Sequence, residues 1–154
     1  KVAYLDADLA TSLEECHRLS KEVKGKVVLA FGSRILKLDN QIKRKWYRFL
    51  LGRIVATAIS KTLKLSVYDS QCGCKIFEFQ TAKKIFDEPF ISKWLFDVEI
   101  FFRMIRLFGR SEIQNHLREI PLKAWVDTPD SRVSPMYFFI LWWDIFKISK
   151  KYKN

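Results

Sequence analysis

Cysteine is scarce in this chain: Cys16, Cys72 and Cys74 make an odd set at irregular spacing. Three thiols without a repeating pattern exclude a disulfide framework and fit a reducing compartment. The chain holds two histidines, His17 and His116, and no second ligand pair stands at finger-like spacing from Cys72-Gly73-Cys74. Incidental or buried thiols are therefore expected rather than a zinc site. The first residues carry no initiator methionine. They also lack the long apolar region and small-residue cleavage site of a signal peptide. No stretch approaches the roughly 20 apolar residues that cross a bilayer. Internal repeats, linkers and low-complexity tracts are missing as well.

What remains is a chain of 154 residues, enough for one domain with a core but short for a complete two-substrate enzyme. Hydrophobic residues make up 49% and aromatics 15%, which excludes intrinsic disorder. The formal net charge of +11 calls for an anionic partner: nucleic acid, a membrane surface or substrate phosphates. Charge alone does not choose among the three.

Val2–Leu5 is apolar and runs into acidic residues, as a buried strand emptying into a loop does. Thr11 or Ser12 can cap a following helix, with Glu14 or Glu15 placed for a capping box. A second buried strand is expected over 27–32, so the chain opens strand, helix, strand and belongs to the α/β class. A basic stretch follows, helical from about Lys43. Trp46, Phe49, Leu50, Ile54 and Ala58 are expected on its packed face, and Lys43, Arg44, Lys45, Arg48 and Arg53 on the other. Residues 68–79 read as β with a break at Cys72-Gly73-Cys74. Residues 81–86 and 97–108 read as helices separated by Pro89, and 119–126 as a late strand.

Asp6-Ala7-Asp8 places two carboxylates one residue apart where a strand ends. Such a pair can bind Mg²⁺ or Mn²⁺ together with a diphosphate, although a solvated loop is the commoner meaning of the pattern alone. Gly32-Ser33-Arg34 ends the second strand, and the basic helix follows. Guanidinium and ammonium groups converging near a strand end suit phosphate, while a basic helical face by itself is usually just solvated.

Together these residues resemble the GT-A type family 2 glycosyltransferases, of the dolichyl-phosphate β-glucosyltransferase and polyprenyl-phosphate glycosyltransferase kind. The resemblance rests on Tyr4-Leu5-Asp6-Ala7-Asp8-Leu9-Ala10-Thr11, Gly32-Ser33-Arg34, Lys43-Arg44-Lys45, Asp69-Ser70-Gln71-Cys72-Gly73-Cys74-Lys75-Ile76-Phe77 and Trp94-Leu95-Phe96-Asp97-Val98-Glu99. It reaches to about Val133 and implies a mostly parallel sheet flanked by helices, lacking its first strands. It further implies a metal and diphosphate site at Asp6 and Asp8. Substrate phosphates would meet Ser33, Arg34, Arg44 and, more weakly, Arg48. Asp69 is placed in the active site, and Asp97 and Glu99 become acceptor-side carboxylates. Helix capping and dipole compensation are the plain alternative for the last two.

The implied reaction is inverting transfer of a sugar, glucose from UDP-glucose, onto a polyprenyl or dolichyl phosphate. The implied cofactor is Mg²⁺ or Mn²⁺. Its partners would be a nucleotide-sugar donor and a lipid-phosphate acceptor, with no nucleic acid. Some mannosyltransferase relatives carry a glutamine metal ligand where this chain has Ala10, so the third ligand must come from water, phosphate or elsewhere. The family's opening half, with its base-binding acidic residues, has no counterpart, and the chain is expected to be part of a larger enzyme.

Residues 1–133 are thus assigned to the catalytic part and 134–154 to an aromatic-basic segment. Met136-Tyr137-Phe138-Phe139-Ile140-Leu141-Trp142-Trp143 is intensely apolar, and Lys147, Lys150, Lys151 and Lys153 follow. That pattern suits a helix lying in the headgroup region, peripheral on the cytoplasmic side of a membrane. An ordinary helix covering the sheet is the alternative. Two rival functions stay open: a family 2 transferase with a soluble or polysaccharide acceptor, and a non-catalytic basic module for membrane or nucleic acid.

Overall fold

The structure, a computed structural model, describes residues 1–8, 10–35, 41–43, 46–126 and 136–152, with the side chains at 41–43, 46–49, 51, 126 and 136–139 left aside. In chain order the elements are β1 (Val2–Leu5), α1 (Leu13–Ser20), β2 (Leu29–Ser33), β3 (Gln41–Lys43) and α2 (Trp46–Leu63). Next come β4 (Cys74–Phe77), α3 (Phe79–Ile85), α4 (Phe96–Phe108) and α5 (Ile113–His116). The chain closes with β5 (Leu117–Pro121), β6 (Ala124–Val126) and α6 (Met136–Tyr152).

The α/β class holds. The main sheet has the order β1-β4-β2-β5, and a separate parallel pair joins β3 to β6. β4 runs antiparallel to both β1 and β2, while β2 and β5 are parallel. Three of these four strands therefore point one way and β4, inserted between them, opposes. The sheet is mixed, and its direction of expected parallelism survives in β1, β2 and β5. Their C-terminal ends and the N-terminal end of β4 share one edge, where open α/β sheets gather ligand-binding loops.

Alternation along the strands sorts the core into two layers. Leu29, Phe31 and Phe77 pack with Val55, Ile59, Phe101 and Ile145 beneath α2, α4 and α6. Ala30, Cys74 and Ile76 face the other way, onto Leu19 of α1 and Leu122.

Several local expectations shift. Ser12 does cap α1, its Oγ accepting from Glu15 N at 3.3 Å. The Glu15 carboxylate, however, accepts from Arg18 and from Lys123 N, so in place of a reciprocal capping box it ties α1 to the segment after β5. The single late strand is two, broken at Leu122-Lys123 so that β6 leaves the main sheet. β structure in 68–79 is confined to Cys74–Phe77, and α3 starts earlier, at Phe79, because the Glu78 carboxylate accepts from Gln80 N and Thr81 N.

The face expected to pack on α2 is corrected too. Leu50 and Ile54 are each 53% exposed, whereas Val55, Ile59 and Leu63 enter the core. This helix is apolar around most of its circumference, so periodicity does not single out the packed side. The side chains of Trp46 and Phe49 lie outside the described residues, as do Arg44, Lys45 and the proposed boundary at Val133.

Candidate active site

Asp6 leaves β1 at the ligand edge of the sheet, and its backbone N donates to Gly73 O at 2.9 Å. Its carboxylate lies against Gly73 so closely that a Cβ there would collide with Asp6 Oδ2. Glycine at this position is what lets the β1 and β4 ends approach. The Tyr4 hydroxyl donates to Asp6 Oδ1 at 2.6 Å, and its ring packs edge-on to Phe96 at 5.3 Å. Burial, reinforced by that hydrogen bond, keeps the Tyr4 phenol protonated far above its ordinary range. Asp8 Oδ1 accepts from Ala10 N at 3.0 Å, closing the turn. Both carboxylates are solvent-exposed.

Arg34, the residue after β2, lies across this edge. Its Nε donates to Asp69 Oδ2 at 2.7 Å and Nη2 to Oδ1 at 2.8 Å, a two-point fork, while its backbone N also donates to Oδ2. The guanidinium sits over the Trp125 ring at 5.4 Å. Burial alone would raise the Asp69 carboxyl, but the Arg34 guanidinium outweighs it and holds Asp69 at about 2. The pair is ionised at any physiological pH, and the Asp6 charge adds to the field that keeps Arg34 protonated. Just before it, Ser33 is buried, and its Oγ finds no hydrogen-bond partner among the described residues. Nearby, Arg34, Arg53, Tyr68, Asp69 and Ser70 line a polar hollow of about 40 Å³, large enough for water but not for a sugar.

Beneath the edge lies Lys75, fully buried on β4. Its Nζ donates to Asp97 Oδ1 at 2.6 Å and to Cys72 O at 2.7 Å. Burial outweighs this cation at Asp97 and pushes its carboxyl up, with Asp6 and Asp69 adding repulsion. Asp6, Arg34, Asp69 and Asp97 thus form one electrostatic group.

Glu99 does not join them. It is fully buried and accepts from Ile91 N, Arg103 Nη2 and the Tyr152 hydroxyl, bracing α4 against α6. Two residues apart on a helix, Asp97 and Glu99 project about 200° apart and cannot serve one site. Arg44 and the Arg48 side chain fall outside the described residues.

Sequence reasoning named no site role for Lys75 or Glu119 and placed Arg53 only on the basic face of its helix. Glu119 on β5 accepts from Tyr68 N and Asp69 N, both at 2.8 Å, and so fixes the loop that presents Asp69. Arg53 lies 3.6 Å from the Tyr68 ring centre and donates to Tyr68 O. A charged residue between Cys74 and Ile76 in a buried strand was the available signal for Lys75. Burial pushes the thiols of Cys72 and Cys74 up to about 12, and His116 Nδ1 bonds to Lys26 O. That agrees with incidental thiols.

Comparison with known proteins now bears on this edge. The chain is 26% identical over 172 residues to a dolichyl-phosphate beta-glucosyltransferase of Drosophila melanogaster, covering 97% of the chain and 51% of the relative. The enzyme of the same name from Dictyostelium discoideum is 28% identical over 137 residues, 85% of the chain and 40% of the relative. That of Homo sapiens is 28% identical over 147 residues, 91% and 43% respectively. The chain is related to the family 2 glycosyltransferases. It spans about half the length, or less, of these curated relatives. No family model matches it, and no solved structure matches it significantly. The α/β sheet with its acidic and basic strand ends agrees with the GT-A architecture of glycosyltransferases.

Proposed function

We propose that this chain carries the catalytic edge of an inverting glucosyltransferase that moves glucose from UDP-glucose onto dolichyl phosphate. The observation that supports it best is the convergence of Asp6, Arg34 and Asp69 at one sheet edge, in a chain related to enzymes named for that transfer. A lipid phosphate oxygen forms the new bond to the anomeric carbon while the bond to the UDP oxygen breaks, and UDP leaves. The acceptor phosphate has a second pKa near 6, about that of other phosphate monoesters, so it attacks largely ionised and needs no strong general base. The burden falls on electrostatics, since one anion must be brought beside another. Arg34 is suited to it, because Asp69 and Trp125 hold the guanidinium rigid instead of leaving it to sample rotamers. The Ser33 hydroxyl stands beside it as a further donor.

Asp6 and Asp8 offer hard oxygen donors that fit Mg²⁺ or Mn²⁺. Among the described residues no group of three or more His, Cys, Asp or Glu is placed to hold a metal ion, so the remaining ligands would be diphosphate oxygens and water. Such an ion would neutralise charge on the departing diphosphate. The absent Cβ of Gly73 is the local feature that leaves the Asp6 carboxylate its place. Peripheral attachment on the cytoplasmic face suits a lipid acceptor and three free thiols.

The test is acceptor choice. The protein expressed from its full gene is given labelled UDP-glucose and Mg²⁺ with dolichyl phosphate, dolichol or a soluble phosphate monoester. Label entering the organic phase with dolichyl phosphate alone, and lost on chelation, is the expected result. Equal use of the soluble monoester would refute the lipid acceptor.

A further inference from the structure

α6 is apolar on two sides, and only one of them is used. Leu141, Ile145 and Ile148 enter the core, and Tyr152 stacks on Phe102. Facing away, Ile140, Trp142, Trp143 and Phe146 are 48%, 47%, 59% and 57% exposed. Trp143 stacks with Phe146 at 5.9 Å, and the Lys147 ammonium lies 5.5 Å from the Trp143 ring centre. Lys147, Lys150 and Lys151 are exposed on the same helix. Its one acid, Asp144, is held by the Ser92 hydroxyl at 2.7 Å and by Lys147. No uncommitted carboxylate opposes an anionic surface there.

The position of this face matters as much as its composition. Ser92 Oγ, while donating to Asp144, accepts from Trp94 N and Leu95 N and so shapes the turn into α4. Asp97, in the first turn of α4, pairs with Lys75 under the site. Ile91, Lys93 and Trp94 of that turn are exposed. The outward aromatics of α6 therefore begin at the same end of the molecule as the candidate active site. No helix of the described residues is long and apolar enough to cross a membrane.

We infer that the outer face of α6, with Ile91 and Trp94 beside it, is a docking surface for anionic phospholipid. The aromatics enter the headgroup boundary, and Lys93, Lys147 and Lys150 meet lipid phosphates. This rests on the proposed function, since a lipid-phosphate acceptor must reach Asp6 and Arg34 from the bilayer surface. Charge complementarity selects the lipid over a second copy of the chain, whose lysines would face each other across a symmetric contact.

The test is co-sedimentation of the purified chain with phosphatidylcholine vesicles, with and without about 30 mol% phosphatidylserine. Binding to the anionic vesicles is expected, weakened but not removed by salt, because insertion of the aromatics is salt-insensitive. Trp142→Ser with Trp143→Ser is expected to lower binding about tenfold or more, with circular dichroism unchanged. Should that pair disturb folding, Lys147→Glu with Lys150→Glu on exposed positions is expected to lower it comparably. Undiminished binding by folded variants of both kinds overturns the inference. So does a dimer of the parent chain that the tryptophan pair converts to monomer without changing vesicle binding. Transfer onto detergent-dispersed dolichyl phosphate by the protein expressed from its full gene separates the two proposals: transfer by that protein without vesicle binding by the chain overturns docking alone, and vesicle binding without transfer overturns the proposed function alone.

Discussion

Asp69 works in two directions at once. Its carboxylate immobilises Arg34, and its own backbone N is held by Glu119. The arginine keeps the Asp69 carboxyl at about 2 in the folded chain against an ordinary 3.8. A value lowered on folding stabilises the fold fully above the ordinary range, and that contribution is lost as pH falls toward 2. The size is about 2 kcal/mol at pH 7 and about half of that at pH 3. Urea unfolding should therefore place Asp69→Asn below the parent at pH 7, with the gap narrowing by about 1 kcal/mol at pH 3. A gap that stays constant with pH would mean the pair is not ionised as described. Arg34 was legible in the sequence as a cation at a strand end. Its pairing with Asp69, a residue the resemblance already places in the active site, was not, because the two lie 35 residues apart and no local spacing links them. Glu99 is a different case: the resemblance sets Asp97 and Glu99 side by side in sequence, whereas a helix sends them to opposite faces and Glu99 braces α4 against α6.

Between elements, the pair that matters most is Lys75 on β4 with Asp97 on α4, fully and nearly buried respectively. Removing one member of a buried pair strands the other, at a cost of about 3 kcal/mol or more. Lys75→Met is expected to destabilise by that amount in denaturant melts, and Lys75→Met with Asp97→Leu to recover most of it. A single variant within about 0.5 kcal/mol of the parent would remove Lys75 from the framework. The elements that were legible are those whose signals are local: α1 from Ser12, α4 from its periodicity and acidic first turn, and β1 as a strand from its apolar run. β1 is, however, an edge strand with Val2 and Ala3 exposed and not the buried strand expected. The split of the late strand into β5 and β6 was not, since Leu122 and Lys123 carry no turn signal. Glu15, reaching from α1 to Lys123 N, supplies the long-range contact at that bend. On α2, Val55, Ile59 and Leu63 pack in place of Leu50 and Ile54 because only the tertiary partner decides among apolar faces.

At the scale of the whole molecule, +11 charge, an acidic and basic strand edge, and an aromatic helix face belong to one scheme. Under the two proposals, phosphates are drawn to the edge, and the lipid that carries one of them is met by α6. Net charge alone leaves nucleic acid, membrane and phosphate open; under the proposed function, Asp6, Arg34 and Asp69 at one sheet edge favour substrate phosphate there. The most direct measurement compares glucose transfer from UDP-glucose to dolichyl phosphate by the protein expressed from its full gene and by its Asp6→Asn and Arg34→Ala variants. Asp6→Asn should abolish transfer at every Mg²⁺ concentration. Arg34→Ala should lower kcat/KM by about 30-fold or more, the equivalent of about 2 kcal/mol of charge-assisted hydrogen bonding. Arg34→Lys should restore only part of that loss, because a point charge cannot reproduce the two-point fork. Parental transfer rates in folded Asp6→Asn and Arg34→Ala proteins would contradict the assignment of this edge as the active site.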